Sequence, residues 1–178
     1  EKILKTYEEE MVKAASGAKK IEGDWVLPEE LQWNNYNFEA RLMRVQFDKL
    51  LKQGKPEAAY RVLTTLEDTK QASVETVAAL ERFKAALPEF QKTMERLVAD
   101  QPAEVKLRVE AAKSLSSVDK ARADEKLKQD AEDLRLRQEE DKKNKIAIPA
   151  YDKYDLKSLT EAQAGLTKEA DRINKLNL

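Results

Sequence analysis

Apolar residues recur along this chain at spacings of three and four, the period of helices that bury one face. The cleanest run is Leu80, Phe83, Leu87, Phe90, Met94 and Leu97. Its alternation is the seam of a coiled coil or an antiparallel bundle. Pro88 sits inside that run without shifting its phase, so the pattern predicts one kinked helix over residues 73–99, with Ser73 as N-cap. Leu4, Tyr7 and Met11 place a first helix over residues 2–16. Between Pro28 and Gln53 two stripes adjoin: Phe38, Leu42 and Val45 in one, Tyr36, Ala40, Met43, Phe47 and Leu50 in the other. An arc that wide predicts the most buried helix of the molecule. Ala59, Val62, Leu63 and Leu66 mark another helix, and Leu159, Ala162, Leu166, Ala170, Ile173 and Leu176 a last one. Every period is helical, so the expected fold is all-α without a sheet.

Punctuation divides these helices. Pro28, Pro56, Pro88 and Pro102 are each followed within two residues by glutamate. Proline costs no hydrogen bond in the first turn, and acidic side chains there meet the positive end of the helix dipole. All four are candidate helix starts, Pro88 the one in conflict with the seam. Gly23-Asp24 is expected to end the first segment, with Trp25 stapling onto the helix that opens at Pro28. Gly54 stands where a left-handed cap belongs, and the short step to Pro56 predicts an antiparallel helical hairpin. The stretch Leu50 to Tyr60 resembles the turn and second-helix start of a tetratricopeptide unit; no second copy occurs at the family's repeat length, so no array is expected. Ser158-Leu159-Thr160-Glu161 has the form of a capping box opening the final helix.

From Pro102 no stop is legible before Ile146-Ala147-Ile148-Pro149, which predicts one helix over residues 102–145. Its second half is unusual: 18 of the 27 residues from Asp119 to Lys145 are charged. Acid-before-base pairs four apart, Asp124/Lys128, Asp133/Arg137, Glu139/Lys143 and Asp141/Lys145, can hold such a helix together in water. The expected organisation is therefore an antiparallel bundle with a coiled-coil-like seam over 1–101. The rest, 102–178, is a long charged helix, an extended linker (146–157) and a C-terminal helix. The last helix is expected to fold back on the charged one as a protruding hairpin, with Leu159, Leu166, Ala170 and Ile173 covering Leu127, Ala131 and Leu134. Those three, with Asp133, Glu139 and Asp141, are the candidate interaction residues.

Composition narrows the chemistry. Charged residues make up 38% of the chain, and 33 basic side chains nearly balance 34 acidic ones. They alternate, which gives no basic face for nucleic acid. The chain has no His and no Cys, so the usual general base, thiolate nucleophiles and the commonest transition-metal ligands are missing. Consecutive Glu8, Glu9 and Glu10 fan around a helix instead of converging on an ion. No catalytic, cofactor or metal site is expected, and no apolar run is long enough to span a bilayer. A start at Glu1 instead of Met fits a processed, exported chain as well as a trimmed one.

The resulting expectation is a non-enzymatic interaction or scaffold protein that contacts a protein partner, or a second copy of itself, through its helices. The alternative is a helical chaperone or carrier that shelters apolar ligands or unfolded chains. Leu159-Thr160-Glu161-Ala162-Gln163 resembles the L-T-x-x-Q motif of the small periplasmic chaperones of the Spy family, and occurs once.

Overall fold

A computed structural model describes residues 2–178, without the side chains of residues 2, 3 and 31–33. Seven helices and one small sheet are present among them: α1 (Lys2–Ala15), β1 (Lys19–Ile21), β2 (Asp24–Val26), α2 (Pro28–Trp33), α3 (Asn35–Lys52), α4 (Pro56–Thr69), α5 (Val74–Lys113), α6 (Ser117–Lys143) and α7 (Leu156–Asn174). The fold is all-α, and the chain divides into two compact units, residues 1–80 and 81–178. The boundary expected at residue 101 lies within α5.

In the first unit, the expectation of no sheet fails locally. Lys19–Ile21 pairs antiparallel with Asp24–Val26, Lys20 opposite Trp25. The two-residue turn has positive φ at both Glu22 (51°) and Gly23 (95°), the backbone of a type I′ turn that matches the twist of a hairpin. Glu22 is a poor residue for that conformation, but its carboxylate is tied to two arginines. Arg44 Nη2 donates to it at 2.6 Å and Arg41 Nε at 2.9 Å. Ile21 and Val26 turn inward while Trp25 is half-buried within β2, so Trp25 is a strand residue instead of a staple on α2.

The predicted helix from Pro28 to Gln53 is two helices, broken at Asn34, whose φ of −133° is not helical. Asn34 caps α3: its carbonyl accepts from the N–H groups of Asn37 and Phe38, and its Oδ1 from Asn37 Nδ2 at 2.7 Å. At the start of α2, Glu30 Oε2 accepts the Leu27 N–H at 3.1 Å, the reciprocal half of a capping box. α3 is less buried than expected. Ala40, Arg44 and Phe47 are its inward residues, and Leu42 and Tyr36 are exposed.

Gly54, with φ of 67°, closes α3 as predicted, and α4 starts at Pro56. α4 buries Ala59, Tyr60, Leu63 and Leu66 against α3. The buried Arg44 also pairs with Asp48 at 2.6 Å and with Glu75, so one guanidinium joins the β-turn, α3 and the start of α5. Burial opposes its charge, but the bonds to Glu22 and Glu75 more than compensate and raise its pKa.

Helix α5 runs without interruption through Pro88 and Pro102. Both prolines are exposed, so the carbonyls they release can bond to water. Pro102 is thus not a helix start. The break comes instead at residues 114–116, where Ser116 Oγ accepts the Asp119 N–H at 3.2 Å and opens α6. This Ser-x-x-Asp cap is legible in the sequence, but the charged helical pattern on either side outweighs it.

In the second unit, Phe83, Leu87, Phe90 and Met94 are buried, and the rings of Phe83 and Phe90 meet edge to face at 6.5 Å. α7 runs antiparallel to this stretch. At one end Gln101 Nε2 donates to Tyr154 O at 2.8 Å; at the other Lys84 Nζ donates to Leu176 O at 3.5 Å. α7 begins slightly earlier than predicted, with Asp155 as its cap, accepting from the N–H groups of Lys157 and Ser158. Ser158 is buried and bonds back to Asp152 and Asp155. Thr160 Oγ1 donates to Leu156 O, so the predicted capping box is not formed.

Candidate interaction surface

The predicted cover of the α6 stripe by α7 is not seen in this unit. Leu159, Leu166, Ala170 and Ile173 are buried, yet Leu127 and Ala131 are exposed and Leu134 is only half-buried. α7 therefore does not cover that stripe. The reason is the connection itself. Residues 144–155 lie back along α6, where Gln138 Nε2 donates to Ala150 O at 3.0 Å and Asp141 Oδ2 accepts the Ala150 N–H at 2.6 Å. On its other side the same segment meets α7: a Cβ at Gly165 would lie 2.0 Å from the Ala147 carbonyl oxygen. Ile148 and Ala150 are fully buried. The linker occupies the groove in which a direct α6/α7 seam was expected.

The end of α5 and the start of α6 are joined through the three-residue turn at 114–116. Further from the turn, Arg108 of α5 and Asp130, Leu134 and Arg137 of α6 line one cleft. Around the turn every residue from 109 to 122 is exposed. Four apolar side chains stand in solvent there: Leu107 at 66%, Val109 at 53%, Leu115 at 38% and Val118 at 60%. The periodicity alone puts Val109 and Leu115 or Val118 on a buried face. The signal it lacks is the turn at Ser114, which leaves them no neighbour.

The six predicted interaction residues separate into three groups. Leu127, Ala131, Asp133 and Glu139 are exposed on α6. Leu134 lines the basal cleft. Asp141 is buried and holds the linker through Ala150, so it is a structural group and not a surface one. The ion pairs along α6 also differ from those expected. Lys126 pairs with Asp130 at 2.8 Å, and Arg135 bridges Glu132 at 2.6 Å and Glu139. Arg137 donates instead to the Asp133 carbonyl, at 3.3 Å. The Arg135 bridge holds the Glu132 carboxyl below its ordinary value and raises the Arg135 pKa through Glu132 first and Glu139 second. All of these groups are solvent-exposed, so the pairs fix helix-surface geometry more than they stabilise the fold.

A second exposed apolar set lies in the first unit. Leu4, Tyr7 and Met11 share one face of α1, with Val12 beside them. The acidic cluster there is partly engaged: Lys20 Nζ donates to Glu10 at 2.5 Å and lowers its pKa. No helix among the described residues is long and apolar enough to cross a membrane. No known family model, curated protein or solved structure matches this chain.

Proposed function

We propose that this chain is a non-enzymatic interaction or scaffold protein whose working part is the α5–α6 arm, which engages a helix of a protein partner or of a second copy. The observation that carries this reading is the bare end of the arm. Fourteen consecutive residues are exposed there, from 109 to 122, and Leu107, Val109, Leu115 and Val118 lie among or beside them. Single exposed apolar residues are ordinary, but a group of this kind at one end of a helical pair is the usual mark of a contact surface. The interspersed charges of α6 suit the polar rim of such a contact, where they set register and salt dependence more than affinity.

Sedimentation velocity and chemical crosslinking of the full chain test the reading, comparing wild type with Leu107→Ser/Val109→Ser/Val118→Ser. Self-association or crosslinks to a defined partner should be lost in the variant. Identical profiles and crosslinks in the two proteins would count against it. A carrier of apolar ligands is the second reading, and the exposed face of α1 is the feature that favours it. In that case Leu4→Ser/Met11→Ser, and not the arm variant, should abolish uptake of an apolar dye.

A further inference from the structure

The cleft at the base of the arm has an unusual charge arrangement. It encloses about 260 Å³ and is lined from three elements: Arg108 on α5, Asp130, Leu134 and Arg137 on α6, and residues 151–154 of the linker. Its acids are already engaged. Asp130 is paired with Lys126 at 2.8 Å, and Asp152 Oδ1 accepts the Tyr154 N–H at 2.9 Å. Its arginines have no carboxylate: neither Arg108 nor Arg137 is ion-paired among the described residues, and Arg137 Nε donates only to the Asp133 carbonyl, at 3.3 Å. Arg41, Arg44, Arg61, Arg135 and Arg172 hold carboxylates, and the other arginines without an ion pair among the described residues, Arg96 and Arg122, are exposed. Arg108 is half-buried, and a guanidinium in that position ordinarily finds an anion.

Two of the cations, Arg108 and Lys153, are held against an aromatic ring. The Arg108 guanidinium lies 4.2 Å and the Lys153 ammonium 4.6 Å from the centre of the Tyr154 ring. Such contacts orient a cation while leaving its N–H donors available. Lys153 also lies 3.8 Å from Glu104, a loose pair at the rim. Its pKa is raised, by Tyr154 first and by Glu104 and Asp152 further down, so it is charged throughout the physiological range.

We infer that this cleft binds a phosphate-class oxyanion between Arg108, Arg137 and Lys153. A planar carboxylate is satisfied by the fork of one guanidinium, whereas three cationic donors arriving from three elements suit a tetrahedral group that accepts bonds on several sides. The anion would tie α5, α6 and the linker together where the arm leaves its packed base. Its binding does not depend on what the end of the arm contacts.

The test is isothermal titration of the full chain with inorganic pyrophosphate at physiological salt, paralleled by flotation with phosphatidylcholine vesicles carrying phosphatidic acid. Saturable binding of pyrophosphate supports a soluble phosphate ligand. Flotation without pyrophosphate binding supports a phosphorylated headgroup as the source. Arg108→Gln/Arg137→Gln should weaken whichever is seen by about tenfold or more, the loss expected for two charge-assisted bonds. Lys153→Gln, which alters only an exposed side chain, should weaken it without changing the circular dichroism. Lys120→Gln/Arg122→Gln removes the same charge elsewhere on α6 and should leave binding intact. Absence of binding in both assays, or an equal loss in both double variants, would overturn the assignment.

Discussion

The two halves of α5 are a single helix in two different situations. Around Phe90 the chain buries Phe83, Leu87, Phe90 and Met94 with α7 running alongside, whereas near and beyond Arg108 it leaves Leu107 and Val109 in water. Both stretches carry apolar residues at helical spacing, and both are helical. The difference lies in what comes back against them. Helix in the first half is maintained by burial. In the second it rests on a run of strong helix formers from Ala103 to Lys113, on a local Lys113–Glu110 pair at 2.7 Å, and on the Ser116 cap that turns the chain. Helical periodicity reports where a face could be buried, and not whether it is.

The largest expected effect is in the packed half. Phe90→Ala should destabilise the second unit by about 3–5 kcal/mol in denaturant titration, the cost of emptying an aromatic site. A loss below about 0.5 kcal/mol would show that the seam is not a core, and the contrast between the halves would collapse. Next is Gly165→Ala on α7. The added Cβ would fall 2.0 Å from the Ala147 carbonyl oxygen, so the backbone of the linker must shift. A cost of about 1–3 kcal/mol is expected, as for other overpacked sites. A neutral result would mean that the linker is free to move away from α7.

How much of this is legible in the sequence depends on the range of the interaction. Periodicity locates the seam at Phe83 to Met94, Gly54 and Pro56 mark the turn between α3 and α4, and Ile146 to Pro149 mark the end of the charged helix. Each is set by residues within a few positions of one another. The β-hairpin escapes such a reading because its strands are only three residues long and half of their residues are polar. Its sign is the Glu22-Gly23 turn, and the arginines that stabilise Glu22 there lie about twenty residues away. The position of α7 is hidden for a similar reason. Nothing local reveals that Asp141 and Gln138 hold the linker in the groove that a direct helix pair would have used. Of the candidate surface, Leu127, Ala131, Asp133 and Glu139 do lie in solvent, while Asp141, an exposed charge by its pattern, is buried.

Acid should distinguish the two units. In the first, Arg44 foremost and Arg41 second hold the Glu22 carboxyl below the usual carboxylate range. A depressed folded-state pKa contributes stability above the unfolded value, near 4.3, and that contribution is lost as pH falls through the folded value. The hairpin should therefore loosen below about pH 4. Trp25 fluorescence in a Trp33→Phe background would report it. Glu22→Gln should flatten that part of the profile, and because the group is partly solvated the effect should shrink with added salt. An unchanged profile in Glu22→Gln would move the acid sensitivity to another carboxylate.

The smallest expected effect on stability is the one that sharpens the comparison most. Leu107→Ser, Val109→Ser and Val118→Ser each replace a side chain that is already in water, so no cavity forms and no buried partner is left unsatisfied. Each should change unfolding free energy by no more than about 0.5 kcal/mol, the range for exposed positions away from caps and ion pairs. Hydrogen exchange provides the companion measurement. Amides of residues 109–113 and 117–125 should open with much lower free energy than those around Phe90, because few apolar contacts resist their local unfolding. Phe90→Ala should accelerate exchange around the seam while leaving the already rapid exchange of the arm nearly unchanged. If instead the three serine substitutions together cost as much as Phe90→Ala, the end of the arm is packed in solution, by a second copy or by the chain itself. Repeating the measurement over a range of protein concentrations separates these cases, since only a contact between copies weakens on dilution.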